Sequence, residues 1–283
     1  MSMQHIAVIG AGTMGNGIAQ VCAVAGFDVT LLDISDTALE RGMATVRKNL
    51  ERQVTKQTVA ADVAEAALRR ISVTTDYGQL NGAQLVIEAA TENLELKLRL
   101  LKQIASHVDR ECVIASNTSS LSITQLAASV EHPDRFIGLH FFNPVPMMNL
   151  IEVIRGLQTA DTTHIAAIKL AERLNKTAIT AGNRPGFVVN RILVPMINEA
   201  ILVLQEGLAT AQDIDDGMRL GCNQPIGPLA LADLIGLDTL LAIIEAFLEG
   251  FNDSKYRPAP LLKEMVAAGY LGRKTGRGFF VYN

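Results

Sequence analysis

His5-Ile6-Ala7-Val8-Ile9-Gly10-Ala11-Gly12-Thr13-Met14-Gly15 sets an apolar run directly before G-x-G-x-x-G. An apolar helical stretch, Ile18 to Ala25, follows, and a second strand-like run, Asp28 to Leu32, ends on Asp33. Each part has a chemical reason. Gly10 permits a tight turn, Gly12 lets backbone approach a pyrophosphate, and Gly15 lets helix and strand pack closely. The helix N-terminus offers unpaired N–H groups and a positive dipole end to phosphate. Thr13 and Met14 complete the loop. Asp33 is placed to accept hydrogen bonds from a ribose 2′-hydroxyl, and its charge repels a 2′-phosphate. A glycine-rich turn alone is weak evidence. In strand–turn–helix–strand–acid order it predicts a dinucleotide site, with NAD favoured over NADP.

The 283 residues are enough for two domains, and 49% apolar with 19% charged residues is ordinary for a globular protein with a sizeable core. A net charge of -4 leaves no basic footprint for nucleic acid or an anionic membrane. Cys22, Cys112 and Cys222 lack metal or redox spacing and read as free buried thiols in a reducing compartment. With the first strand beginning by His5 and no apolar run of membrane-spanning length, a cytoplasmic location is expected. No metal site is predicted.

Beyond Asp33, residues 35–70 have helical composition and read as two helices broken near 56–60. Strand-like runs follow at 71–75, 85–89, 113–116, 136–142, 150–154 and 177–181, with helical stretches at 93–108 and 162–174. This alternation predicts an α/β fold, a Rossmann-type doubly wound sheet carrying a helical hairpin insertion, over residues 1–184. The character changes at Gly182-Asn183-Arg184-Pro185-Gly186, and residues 185–283 read as a smaller, all-helical domain. Its helix from Asn190 to Leu204 is apolar on nearly all faces, with Pro195 expected to bend it. Such a helix is either wrapped by its own domain or buried against a second subunit, and a homodimer is the preferred reading.

Four polar residues stand out beyond the dinucleotide loop. His140 ends one strand and Glu152 lies in the next, so the two meet if the strands are neighbours. A carboxylate beside an imidazole fixes its tautomer and raises its basicity, which suits proton transfer near neutral pH. A histidine at a strand end, taken alone, more often serves structure. Ser119, in Ser116-Asn117-Thr118-Ser119-Ser120, follows a parallel strand at the end where open α/β sheets bind ligands. It is equally placed to cap the helix from Ile123, as are Ser120 and Ser122. Asn190 opens the apolar helix and has the same alternative role.

The loop with Met14, Glu92-Asn93-Leu94, the serine-rich run at 116–120, His140-Phe141-Phe142-Asn143-Pro144 and Pro185-Gly186-Phe187-Val188-Val189-Asn190-Arg191 together resemble the 3-hydroxyacyl-CoA dehydrogenase family. Gly227-Pro228 and Gly272-Arg273-Lys274-Thr275-Gly276 continue the resemblance, which covers essentially the whole chain and is closest to compact bacterial enzymes acting on 3-hydroxybutyryl-CoA and acetoacetyl-CoA. It implies an NAD-dependent oxidoreductase, an acyl-CoA substrate and a homodimer. His140 corresponds to the general base and Glu152 to its electrostatic partner. Ser119 and Asn190 correspond to residues that hold the reacting oxygen. Asp33, Glu92, Lys97, Ser119, Asn143 and Lys274 correspond to cofactor contacts, and Asn49 and Lys56 to CoA contacts. The hairpin departs from the family, with Asn49, Glu51 and Gln53 where a serine and dense lysines are usual. The alternatives are a related 3-hydroxyacid dehydrogenase, whose interdomain helix uses a lysine absent from Pro185 to Arg191, and a non-catalytic NAD(H)-binding dimer.

Overall fold

The computed structural model describes residues 3–282 and divides at Asn183, giving one unit up to that residue and a second from Arg184 onward. The first unit alternates strands and helices. Its elements are β1 (His5–Ile9), α1 (Thr13–Val24), β2 (Asp28–Leu32), α2 (Asp36–Thr55), α3 (Ala61–Arg70), β3 (Ile71–Thr74), β4 (Leu85–Glu88) and α4 (Leu94–Ala105). They continue with β5 (Val113–Ser116), α5 (Ile123–Ala127), β6 (Phe136–Phe141), β7 (Leu150–Arg155), α6 (Asp161–Arg173) and β8 (Thr177–Gly182).

One eight-stranded sheet runs in the order β3-β2-β1-β4-β5-β6-β7-β8. The first six strands are parallel, with β1 and β4 adjacent where the winding changes direction. Their side chains are close to uniformly apolar, as burial on both faces demands: Ile6, Val8, Leu31, Val86, Ile87 and Ala115 are all fully buried. β7 then runs antiparallel to β6, because residues 142–149 are too few to return the chain by a crossover. The β6–β7 register pairs His140 directly with Glu152.

α2 and α3 form the expected hairpin. Ser35 caps α2 by accepting from the Ala38 N–H at 3.3 Å. Leu39, Met43, Val46 and Leu50 fall at helical spacing and are buried. At α5 the cap is Ser122, which accepts from the Gln125 N–H, so Ser119 is free of that duty.

The second unit holds α7 (Val189–Gln205), α8 (Ala211–Asp216), α9 (Pro228–Ile235), α10 (Leu237–Phe251) and α11 (Pro260–Ala267) around a core that includes Ile197, Ile201, Leu229, Leu240, Ile244 and Phe247. The buried Asp233 carboxylate accepts from the N–H groups of Phe279 and Phe280 and from the Tyr282 hydroxyl, each at 2.9 Å. α7 runs through Pro195 as one helix, and it is not enclosed by its own unit, since Ile192 is 69% exposed. Cys22 and Cys112 are buried, and burial pushes each thiol up to about 12. Cys222 is exposed, contrary to the expectation of three buried thiols, because it follows a short π-helix, Gly217–Gly221, none of whose residues is buried. No helix among the described residues is long and apolar enough to cross a membrane, and no described cluster of His, Cys, Asp and Glu suits a metal ion.

One charged pair lies wholly inside the first unit. Lys97 and Glu88 are both fully buried and joined Nζ to Oε2, and Ser116 Oγ donates to the same oxygen at 2.9 Å. Replacing one partner strands the other charge, so Lys97→Met is expected to cost about 3–5 kcal/mol. Pairing it with Glu88→Leu should return much of that loss. Denaturant melts of the two single variants and the double variant test this, and additive losses would show that the pair does not act as a unit.

Candidate active site

The glycine loop lies between β1 and α1. Gly10 has φ +98, and a Cβ at Gly15 would stand 1.7 Å from the Gly10 carbonyl oxygen, so strand and helix meet backbone to backbone there. A Cβ at Gly12 would meet nothing within 4 Å. That open space fronts the N-terminus of α1, which carries no side-chain cap. At the tip of β2, Asp33 Oδ2 accepts from the Ala11 N–H at 2.7 Å and Oδ1 from the Ser35 N–H at 3.2 Å. These residues fit a dinucleotide. The loop leaves room for a pyrophosphate, the N-terminus of α1 carries no side-chain cap, and a half-buried carboxylate follows the neighbouring strand β2.

Beside the loop, each residue of Ser116-Asn117-Thr118-Ser119 has a hydrogen-bond partner. Ser116 donates to Glu88, and Asn117 Oδ1 accepts from the Phe141 N–H at 2.9 Å, tying this turn to the end of β6. Thr118 Oγ1 donates to Glu92 Oε2 at 2.7 Å, and the Ser119 N–H donates to Glu92 Oε1 at 2.9 Å. Both oxygens of Glu92 therefore hold the turn that carries Ser119.

Ser119 Oγ lies 3.2 Å from His140 Nε2, and His140 Nδ1 lies 2.6 Å from Glu152 Oε2. His140 is 4% exposed and Glu152 is fully buried. The carboxylate acceptor holds the ring proton on Nδ1, so Nε2 presents its lone pair toward Ser119. The Phe142 ring, 4.6 Å from the imidazole between centroids, flanks it. A buried imidazole that meets a carboxylate at one nitrogen and a hydroxyl at the other is an arrangement for moving a proton.

The remaining sequence-derived residues fall as follows. Lys97 gives its ammonium to Glu88 and Ser116 and has no exposed surface. Asn143 is exposed at the start of the β6–β7 connection. Asn49 and Lys56 sit on the last turns and the C-cap of α2. Asn190 lies half-buried in the first turn of α7, where Val188 holds the cap position, and belongs to the second unit. Lys274 also belongs there, and its Nζ donates to both oxygens of Asp238 at 2.5 and 2.7 Å, which holds that carboxyl below its ordinary range. The structure thus joins Ser119, His140, Glu152 and Glu92. It adds Glu88, Ser116, Asn117 and Thr118, which the sequence reading did not single out. Their one signal is position, since polar side chains close the otherwise apolar strands β4 and β5.

Comparison with known proteins shows the family. Residues 5–184 match the NAD binding domain of 3-hydroxyacyl-CoA dehydrogenase, and residues 186–282 match the C-terminal domain of that enzyme. The chain belongs to the 3-hydroxyacyl-CoA dehydrogenase family, a family of NAD-dependent oxidoreductases. A 3-hydroxybutyryl-CoA dehydrogenase of Bradyrhizobium diazoefficiens is 50% identical over 280 residues, spanning 99% of this chain and 96% of the relative. The crystal structure of (S)-3-hydroxybutyryl-CoA dehydrogenase PaaH1 from Ralstonia eutropha is similar with a TM-score of 0.97 and 59% identity, covering 100% of both chains. The mitochondrial hydroxyacyl-coenzyme A dehydrogenase of Rattus norvegicus is 39% identical, spanning 99% of this chain and 91% of its own.

Two glycines separate cofactor binding from folding. Gly12→Ala is expected to melt at the wild-type temperature yet bind NAD about tenfold or more weakly, because its methyl group enters the phosphate space. Gly15→Ala should instead lower the melting temperature, because its methyl group meets backbone. Thermal melts with NAD titration by fluorescence measure both, and equal effects of the two substitutions would contradict this assignment.

Proposed function

We propose that this chain interconverts (S)-3-hydroxyacyl-CoA and 3-ketoacyl-CoA, with 3-hydroxybutyryl-CoA and acetoacetyl-CoA as the favoured pair. The observation that carries the reading is the line Ser119–His140–Glu152, at 3.2 and 2.6 Å. NAD, when bound, accepts the hydride from the substrate carbon and returns it in the reverse direction. In oxidation His140 Nε2 takes the proton of the 3-hydroxyl. Glu152, already on Nδ1, stabilises the imidazolium that results. Ser119 and Asn190 hold the substrate oxygen as it passes from hydroxyl to carbonyl. In reduction His140 begins protonated and gives that proton to the nascent alkoxide.

Glu92 enters as the residue that sets Ser119, in addition to its proposed cofactor contact. Asp33 selects NAD, with Gly10, Gly12, Thr13, Met14 and Gly15 at the pyrophosphate and Asn143 near the nicotinamide. Lys97 acts from beneath, through Glu88 and Ser116. Asn49 and Lys56 are the proposed CoA contacts and Lys274 a further cofactor contact. A cytoplasmic homodimer completes the reading. Its support is the apolar surface of the second unit, where Ile192 is 69%, Leu208 75% and Leu220 81% exposed, beside a cavity of about 410 Å³ lined by Met196, Ala200, Val203 and Met218. Sedimentation should give a dimer at micromolar concentration, and a stable monomer would count against it.

The kinetic test compares acetoacetyl-CoA with longer 3-ketoacyl-CoAs, using NADH and NADPH separately. NADH is expected to be preferred by about tenfold or more in kcat/KM, a ratio worth only about 1.4 kcal/mol. His140→Gln should lower kcat by about 10²–10⁴ with NADH affinity nearly intact. Glu152→Gln should also lower kcat, since an amide orients the ring without stabilising its charge. The double variant should be far less impaired than the product of the two losses. Fully multiplicative losses would mean that the two residues act separately, and an active His140→Gln enzyme would remove the base.

A further inference from the structure

A cavity of about 440 Å³ in the first unit lies where the body of α1, the tip of the helical hairpin and the end of α6 come together. Its polar wall includes Gln20, Gln53, Asn149, Arg173, Asn175 and Lys176, with Val24 and Pro146 among its apolar residues, and no carboxylate lines it. Two of these residues are left incomplete. Lys176 is 8% exposed, and its ammonium donates to the carbonyls of Val145 at 2.8 Å and Met148 at 2.6 Å. Among the described residues it forms no ion pair, and burial lowers its pKa below the ordinary lysine range. Gln20 is 1% exposed, and its Nε2 donates to Gln53 Oε1 at 2.7 Å. Its own carbonyl oxygen has no partner. A buried cation without a counter-ion and a buried amide oxygen without a donor each cost free energy, and a ligand in the cavity offsets both.

We propose that this cavity binds a nucleotide through its phosphate and its hydroxyl or amino groups. Lys176 supplies the buried positive charge, with a second from Arg173, whose guanidinium also donates to the Met3 carbonyl and stacks on Phe27. The amides of Gln20, Gln53 and Asn149 supply the hydrogen bonds, and Val24 and Pro146 supply apolar contact for a base. Gln53 stands four residues after Asn49 and three before Lys56, so all three share a side of the hairpin helix. One source of the nucleotide is therefore the CoA thioester itself, an assignment that rests on the proposed function. The other is a free nucleotide, which would make the cavity an effector site.

The test is calorimetry on the full-length protein saturated with NAD, using adenosine 3′,5′-bisphosphate, adenosine monophosphate and inorganic phosphate as probes. Adenosine bisphosphate is expected to bind, and Gln20→Leu should weaken it by about tenfold or more, because an isosteric apolar residue cannot hydrogen-bond. Asn175→Asp should do the same by adding a negative charge, and its φ of 53 suits Asp as it suits Asn. Thermal melts confirm that both variants fold. If the bisphosphate raises the apparent KM for acetoacetyl-CoA without changing kcat, the cavity holds the substrate's nucleotide. Binding without competition assigns a free nucleotide. Binding of wild type that neither substitution weakens, or no heat from any probe, overturns the proposal. Failure of the wild type to reduce acetoacetyl-CoA while calorimetry still shows binding would sink the proposed function and leave this site standing.

Discussion

The organisation of the active site depends on one reversal of strand direction. Parallel strands joined by helices place ligand-binding residues at strand ends, yet none of them brings an imidazole and a carboxylate into direct opposition. By returning antiparallel after a short connection, β7 sets Glu152 across from His140 in register. Residues opposed in this way hold their Cβ atoms about 5 Å apart, close enough for a direct hydrogen bond. A slip of one residue would turn Glu152 to the other face of the sheet. Both faces of β7 are buried, with Ile151 and Val153 on one and Ile154 on the other, so a slip would leave the Glu152 carboxylate among apolar side chains without its imidazole partner, and that cost holds the pair in register.

A second layer of constraint comes from polar groups at the ends of β4 and β5. Glu88 reaches α4 and β5, Asn117 reaches β6, and Glu92 holds the backbone and side chain on either side of the Thr118–Ser119 peptide. The turn that carries Ser119 is thus tied to β4, α4, β5 and β6. The contact of Ser119 with His140 is backed by hydrogen bonds made by its neighbours. This is how a site in a loop acquires the rigidity of the sheet beneath it.

Much of this was legible in the chain. The glycine loop and Asp33 were marked by their order, and the hairpin by a helical stretch too long for one crossover. The meeting of His140 and Glu152 was conditional on strand pairing, which periodicity does not reveal. The structure supplies the pairing. Cys222 misled because its neighbours Leu220 and Gly221 look like a core run, whereas they form a surface turn. The buried roles of Lys97, Glu88 and Asn117 were illegible for a different reason. A charged residue on an amphipathic helix reads as solvent-facing, and only the three-dimensional neighbour shows that it points inward. The incomplete partners of Gln20 and Lys176 belong to the same class, since they arise where three elements distant in sequence converge.

The pair formed by Glu88 and Lys97 also ties this fold to temperature. Hydration of charged groups becomes less favourable on warming, so the penalty for holding such a pair out of water shrinks as the protein is heated. Apolar burial levels off over the same range. The link between the end of β4, α4 and Ser116 therefore loses less on heating than an ion pair in water would suggest. The turn beside His140 keeps that support until the unit around it gives way.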